Sequence, residues 1–423
     1  MFGTIALAPR SIENYRPVVG DAVIDELQAL AEPLQGKRVL YLCSPAANLA
    51  VRAVLESTVP LMVDLGINAQ WQQLRMPVEF QEMDSRLRRA MSRADAPWTR
   101  ENATQWQDFN ELNSRLYDED FDVVVVHHTA SISLYETITH VQGQKPAGAW
   151  VWHAHRDYRG ANPDVWETVM RHAAGFAATV SDYPEFVGDS VPNKVNVVIR
   201  PGVDPLSASA QPVSEQVRRA LLTQRGLDLD QPILCQVARA NREEYPVKVM
   251  DAYELIKAYR PEVQLVLVNL SGIESSDLQN MMNMVNTYQA KLGNILLLTD
   301  LDKVGNVELA SLRQEATVIM HQGLPHGISM ELLEEMWQSK PIVGGHSSVA
   351  EATLTHGRTG LLADTPLEQA EAVLSLLDSP AKAQRMGERA HQEIARRYMV
   401  THHLESYLKL MQRLLRKPGR KNS

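Results

Sequence analysis

The chain has 423 residues, too many for a single hydrophobic core, so two domains of ordinary size are expected. With 44% hydrophobic and 22% charged residues and a net charge of −9, it reads as a soluble globular protein. A membrane span, which would need about 18 consecutive apolar residues, and a nucleic-acid surface spread over the whole molecule are both excluded. The start, MFGTIALAPRSIENYR, has no basic residue ahead of its short apolar run and no convincing cleavage site. A cytoplasmic protein is the simplest expectation, and the Asn102-Ala-Thr sequon then means little. In chain order, near-continuous apolar runs predict buried parallel strands at RVLYLC (38–43), DVVVVHH (122–128), AWVWH (149–153) and KVNVVI (194–199). A polar stretch over 82–118 predicts a helical insertion ahead of DVVVVHH. The segment 200–216, rich in Pro, Ser and Ala, suits a hinge. Beyond it a second series of strands runs through PILCQV (232–237), VQLVLVN (263–269), NILLLT (294–299), ATVIMH (316–321) and KPIVGG (340–345), and 383–416 reads as terminal helices.

This pattern predicts two facing, doubly wound α/β domains with parallel sheets and a deep cleft between them. The first would span 1–205 and the second 206–395. Residues 396–423 would form a C-terminal helix and basic tail able to pack back on the first domain. Arg413, Arg416, Lys417, Arg420 and Lys421 in that tail suit a solvated terminus, with contact to an anionic surface as the lesser alternative. Cys43 and Cys235 each sit in a strand-like run and read as reduced core residues.

In such sheets ligands bind beyond the carboxyl ends of the strands, so the residues just after each strand matter most. His127 and His128 follow DVVVV, and one of them should face the cleft. His153 lies among apolar residues and reads as structural, whereas His155 stands two residues on, at the cleft. His153-Ala-His155-Arg-Asp157 imitates a metal-binding H-x-H-x-D-H signature, but the last histidine is replaced by Tyr158 and the remaining ligands are not evident, so no metal is expected. Later, ATVIMH runs into a turn containing Gly327, and a helix opens near Met330. Its backbone N–H groups could hold a diphosphate. Glu331, Glu334 and Glu335 on its first turns are explained about equally well by the helix dipole.

The segment EEMWQSKPIVG is similar to the E-A-M-x-x-G-K-P-V-[IV]-[AG] segment of family-4 retaining glycosyltransferases, and HGRTGLLA resembles their D-G-x-T-G-x-L-[VA] turn. Trp337 points to the trehalose synthase and trehalose phosphorylase branch. RSIENYRPVVGD, QGKRVLYLCS, STVPLMVDLGI, WHAHRDYRGANPDVW and ILCQVARANREEYPVKVMDAY match in order, so the resemblance covers nearly the whole chain. It implies the GT-B fold, with two Rossmann-like domains. The second would bind a nucleotide-sugar donor and the first a small-molecule sugar or other hydroxyl acceptor. It places His155 and Asp157 at the sugar, Arg239 at the diphosphate and Glu334 at the ribose hydroxyls, with His326 and Gly327 in the donor loop. Front-face retention needs no enzyme nucleophile, because the departing phosphate deprotonates the acceptor while the protein positions the reactants and stabilises charge.

Several donor positions depart from the family. His326 replaces the first glutamate of E-x7-E. Glu244 stands where a lysine faces the diphosphate, a task left to Arg239 with Arg242 or Lys248. Ala47-Asn48-Leu49-Ala50 replaces a glycine-rich loop, Asn269 a glycine, and Ser348-Val349 a glycine pair. The expected function is transfer of a sugar from a UDP-, ADP-, GDP- or dTDP-sugar, with an altered donor or acceptor. The alternatives are a non-catalytic relative acting as a binding or scaffold protein and, behind it, a metallohydrolase. A homodimer is left open, and no nucleic-acid partner is expected.

Overall fold

The computed structural model describes residues 2–45, 49–186, 191–193, 195–238, 247–269, 276–299, 303–322 and 327–416. The chain forms two compact units. One runs to Gly202 and resumes at Val400, and the other is Val203–Met399.

The first unit holds β1 (Gly3–Thr4), β2 (Arg38–Cys43), β3 (Asn68–Gln73), β4 (Val123–Val126), β5 (Ala149–Ala154), β6 (Ala178–Ser181) and β7 (Asn196–Val198). They form one sheet in the order β1-β3-β2-β4-β5-β6-β7. Only β1 is antiparallel to its neighbour. The unbroken apolar character of β4 and most of β2 and β5 follows from helices covering both faces of this sheet. The polar insertion is a pair of helices, Val78–Ala90 and Arg100–Ser114. Thr99 caps the second by accepting from the Asn102 N–H.

In the second unit β8 (Ile233–Ala238), β9 (Gln264–Asn269), β10 (Ile295–Leu298), β11 (Val318–His321), β12 (Ile342–Gly344) and β13 (Leu361–Leu362) form a wholly parallel sheet in the order β10-β9-β8-β11-β12-β13. The chain enters and leaves this unit at one point, where the Val203 N–H donates to the Tyr398 carbonyl at 2.7 Å. The last helix, Val400–Leu415, therefore belongs to the first unit and packs on helices Asp21–Ala31 and Leu49–Asp64. Leu404, Tyr407, Leu408 and Met411 recur at helical spacing and are buried. Each such side chain contributes up to about 1.5–3 kcal/mol. Cys43 and Cys235 are buried free thiols, and burial pushes Cys235 up to about 12.

The turn into β5 shows how tightly the first sheet is closed. Gly148 has φ +79°, and a Cβ there would lie 2.0 Å from the Phe121 carbonyl oxygen and 2.7 Å from that of Asp122. Both strain and clash oppose any side chain. Gly148→Ala is expected to cost about 3 kcal/mol or more, read as a lowered urea midpoint; an unchanged midpoint would show that this turn has room to relax.

Candidate active site

Strand register brings the first cluster together. β5 and β6 pair Ala154 with Ser181, so His155 and Asp182 emerge side by side at the carboxyl end of the sheet. β4 and β5 pair Val126 with Trp152, which sets His127 level with His153. His153 and His155 lie on the same side of the chain, two residues apart, and their ring centroids are 4.0 Å apart. The buried carboxylate of Asp182 faces both: Oδ1 is 3.1 Å from His153 Nε2 and Oδ2 is 2.9 Å from His155 Nδ1. Beyond them, His155 Nε2 is 2.7 Å from His127 Nδ1, and His153 Nδ1 is 2.6 Å from the hydroxyl of Tyr407 on the last helix.

Proton positions follow from what each group can do. An ionised carboxylate only accepts, so His153 carries its proton on Nε2 and His155 on Nδ1. Tyr407 then donates to His153 Nδ1. His155 Nε2 accepts from His127 Nδ1, leaving the other nitrogen of His127 buried and without a hydrogen-bond partner among the described residues. The His127 and His155 rings lie within 8° of one plane with centroids 5.0 Å apart. Since the nitrogens are far closer than the centroids, the rings meet edge to edge across one proton.

Electrostatics agree with this assignment. Burial works against the charge on Asp182, but His155 and His153 outweigh it and hold the carboxyl below its usual range. Burial, then His155 and His153, depresses His127 well below its ordinary value. Burial and His155 bring His153 down to about 3, against a smaller opposing pull from Asp182. His403, whose Nδ1–H donates to the Arg200 carbonyl at 2.7 Å, is brought by burial to about 4.

The ring nitrogens of His127, His153 and His155 can lie within 4.8 Å of one another, the one such histidine group among the described residues. The 2.7 Å separation of His127 and His155 is nevertheless that of a hydrogen bond; two nitrogens on a tetrahedral zinc stand about 3.3 Å apart. His128 turns the other way, with Nε2 at 3.1 Å from buried Asp84 on the insertion helix, where Arg88 also reaches at 3.2 Å. Asp157 pairs with Arg159 through two bonds of 2.9 and 2.7 Å.

The second unit presents a different arrangement beyond β11. Gly327, at φ +117°, makes the turn that leads into helix Met330–Trp337. Ser329 caps that helix by accepting from the Leu332 N–H at 3.2 Å. Glu334 Oε1 accepts from Ser209 Oγ at 3.0 Å, and Oε2 from Nη1 of Arg313. Arg313 is only 1% exposed. Burial opposes its charge, but Glu334, Glu335 and Glu331 together raise its pKa above the ordinary value. Glu335 is also fully buried and meets His321 Nδ1 at 3.0 Å.

Comparison with known proteins places both units. Residues 50–188 match the trehalose synthase N-terminal domain family, and residues 217–393 the glycosyl transferases group 1 family. Trehalose synthase of Pyrococcus horikoshii is 27% identical over 410 residues, 96% of this chain and 97% of that protein. The enzyme of the same name from Thermococcus litoralis is 28% identical over 407 residues, 95% of this chain and 97% of that one. Among solved structures, an α,α-trehalose 6-phosphate synthase from Burkholderia multivorans superposes with a TM-score of 0.71 at 14% identity, covering 89% of this chain and 98% of its own. Anabaena Alr3699/HepE in complex with UDP-glucose gives 0.64 at 13% identity, covering 89% of this chain and all of its own. The chain is a trehalose-synthase-like glycosyltransferase of the GT-B fold.

Of the transferase's expected site residues, His155, Asp157, Gly327 and Glu334 are described, while Arg239, Glu244 and His326 lie outside the described residues, as do Ala47 and Asn48 of the altered loop. His153, read from the sequence as structural, is buried as that reading requires, yet shares its carboxylate with His155. Asp182, Tyr407, Ser209 and Arg313 went unnoticed in the sequence. Asp182 directly follows β6, a strand too short to be read from the sequence, so none of the four carried a usable signal.

The buried histidines make the transferase acid-sensitive. His127, His153 and His403 have folded pKa values below the unfolded value of about 6.5, so the unfolded chain binds more protons as pH falls. Stability is intact above pH 6.5 and is lost progressively toward pH 4, where Asp182 begins to add a further loss. His403, brought to about 4, accounts for about 3 kcal/mol of that loss. His403→Gln, which keeps a donor for the Arg200 carbonyl, should make the fall in melting temperature between pH 7 and pH 4.5 shallower. Superimposable profiles would remove His403 from the account.

Proposed function

We propose that this transferase is a retaining enzyme that moves a sugar from a nucleotide-sugar to the hydroxyl of a small acceptor. The bond between the sugar's anomeric carbon and the β-phosphate oxygen breaks, and a glycosidic bond to the acceptor oxygen forms on the same face. The acceptor's proton passes to the departing phosphate. The second unit takes the donor and the first the acceptor. Glucose is the first acceptor to test, as the matched relatives are named trehalose synthases.

The observation that supports this reading best is Glu334. The resemblance assigns it to ribose hydroxyls, and it lies on the helix that follows β11, gripped on both carboxylate oxygens by Ser209 and Arg313. An ordered carboxylate suits a vicinal diol, because each oxygen has a second lone pair with which to accept. Neighbouring folds solved with UDP and with UDP-glucose support a donor of that chemical class.

The test is incubation with UDP-, ADP-, GDP- and dTDP-glucose and free glucose, with products resolved by mass and by anomeric proton coupling. An α-linked disaccharide from at least one donor is expected. Release of nucleotide with an inverted linkage would overturn retention, and no turnover with any donor or common sugar acceptor would favour a binding protein.

The altered phosphate position yields a separate prediction. The resemblance sets Glu244 at the position of a lysine that faces the diphosphate, so Glu244→Lys would turn one repulsion into an attraction. Nucleoside diphosphate binding should tighten by about 1–3 kcal/mol at a partly solvated site. Calorimetric titration with UDP and ADP measures it; weaker binding by the variant would show that Glu244 assists the ligand.

A further inference from the structure

Helix Met330–Trp337 carries two adjacent carboxylates withdrawn from solvent, Glu334 and Glu335. Glu335 is fully buried against His321, Glu334 is largely buried, and the one buried arginine that faces them, Arg313, comes from the neighbouring helix Asn306–Glu315. A buried arginine is costly to keep unless its position matters, since removing charge from water is repaid only by good pairing. Here the guanidinium reaches Glu334 Oε2 while Ser209 Oγ takes Oε1. The carboxylate is thereby held from both sides.

Ser209 itself is fastened. It belongs to the stretch without regular secondary structure between Val203 and helix Glu215–Gln224, and that stretch is anchored by two side chains at the far end of the Glu334 helix. Trp337 Nε1 donates to the Ala210 carbonyl at 3.2 Å. Gln338 Nε2 donates to the carbonyls of Ser209 and Ala210 at 3.3 and 3.2 Å. The Trp337 ring is in turn stacked on His391 at 4.2 Å, and His391 Nδ1 bonds the Trp337 carbonyl. One helix thus carries Glu334 and also the groups that place a bond on Glu334.

We propose that Arg313 and Ser209 are positioning residues of the nucleotide subsite, with Trp337 and Gln338 as the fastening that keeps Ser209 in place. They fix the rotamer of Glu334 so that the second lone pair on each oxygen is aimed at the two hydroxyls of a ribose. An unrestrained glutamate would have to order itself on binding, and it would distinguish ribose from 2′-deoxyribose less well. The inference rests on the reading of Glu334 as a ribose ligand and goes beyond it by assigning what sets its selectivity.

The readout is a ratio that a merely structural role would leave alone: the Kd for 2′-deoxy-UDP divided by that for UDP, with the ADP pair measured alongside. A hydroxyl bonded to an oriented carboxylate should make this ratio about tenfold or more in the wild type. Ser209→Ala and Arg313→Lys should each bring it down to about twofold, chiefly by weakening UDP. Trp337→Phe keeps the ring against His391 but removes the donor to Ala210, and should fall between them. Arg313→Met, which strands buried carboxylates, is expected to fold poorly and is not needed. Melting curves establish that the other variants are folded; should Arg313→Lys fail to fold, Ser209→Ala and Trp337→Phe decide the matter. Wild-type selectivity that persists in the folded variants overturns the positioning role while leaving Glu334 as a ribose ligand. Absence of selectivity in the wild type, or failure to bind either nucleotide, overturns both.

Discussion

Asp182 is a carboxylate buried at the end of a parallel strand, and the first unit is organised around the need to compensate it. Two imidazoles donate to it, each supported from behind, His155 by His127 and His153 by Tyr407. Every proton in the cluster points inward toward one charge. A buried anion without such partners would cost several kcal/mol, so the identity of each supporting group is constrained by the one before it. The chain brings in Tyr407 from 254 residues beyond His153, on the helix formed after it returns to the first unit.

The second unit solves the mirror problem. There the buried groups in excess are carboxylates on one helix, and the compensating charge is the single guanidinium of Arg313, aided by the His321 ring. The first cluster lies at the carboxyl ends of β5 and β6, and the second joins the end of β11 to the helices on either side of it in sequence. Burial there strengthens each charge interaction, because little water screens it. The same burial makes the two regions intolerant of losing one partner.

How much of this could be read in advance depended on the kind of signal. The apolar strands were legible because a sheet covered on both faces must be apolar throughout, and RVLYLC coincides with β2 to the residue. β3 was missed because NAQWQQ is polar; it lies next to the short antiparallel β1, toward the rim of the sheet, where only part of its length needs burial. β6 is four residues, ATVS, too short for any pattern to show. Among the candidate site residues, His155 and Glu334 were singled out through motifs, whereas their partners Asp182, Tyr407, Ser209 and Arg313 were not. A carboxylate after a short strand resembles any loop acid until register sets it beside His155. Ser209 lies in a stretch whose composition says only hinge, and Arg313 looks like one more charge on an amphipathic helix.

The positions at which family glycines are absent separate into two physical questions, conformation and space. Glycine is required where φ is positive, and among the described residues only Asn294, Lys303 and Ser339 hold positive φ without being glycine. Asn269 closes a regular parallel strand, paired with Ala238. Ser348 and Val349 open helix Ser348–Thr353, with Ser347 as its cap accepting from the Ala350 N–H at 3.1 Å. None of the three needs a backbone that only glycine can adopt, so these replacements place no strain on the fold. What they add is side-chain volume at the ends of strands. Ser339 makes the contrast: it follows helix Met330–Trp337 at φ +59°, where the family segment has glycine, and it bears a real conformational cost. Its carbonyl is packed so closely on Gly387 that a Cβ at 387 would meet it at 1.9 Å. Strain is thus accepted where it closes the packing of the helix that carries Glu334, whereas Asn269, Ser348 and Val349 stand where the backbone accepts any side chain.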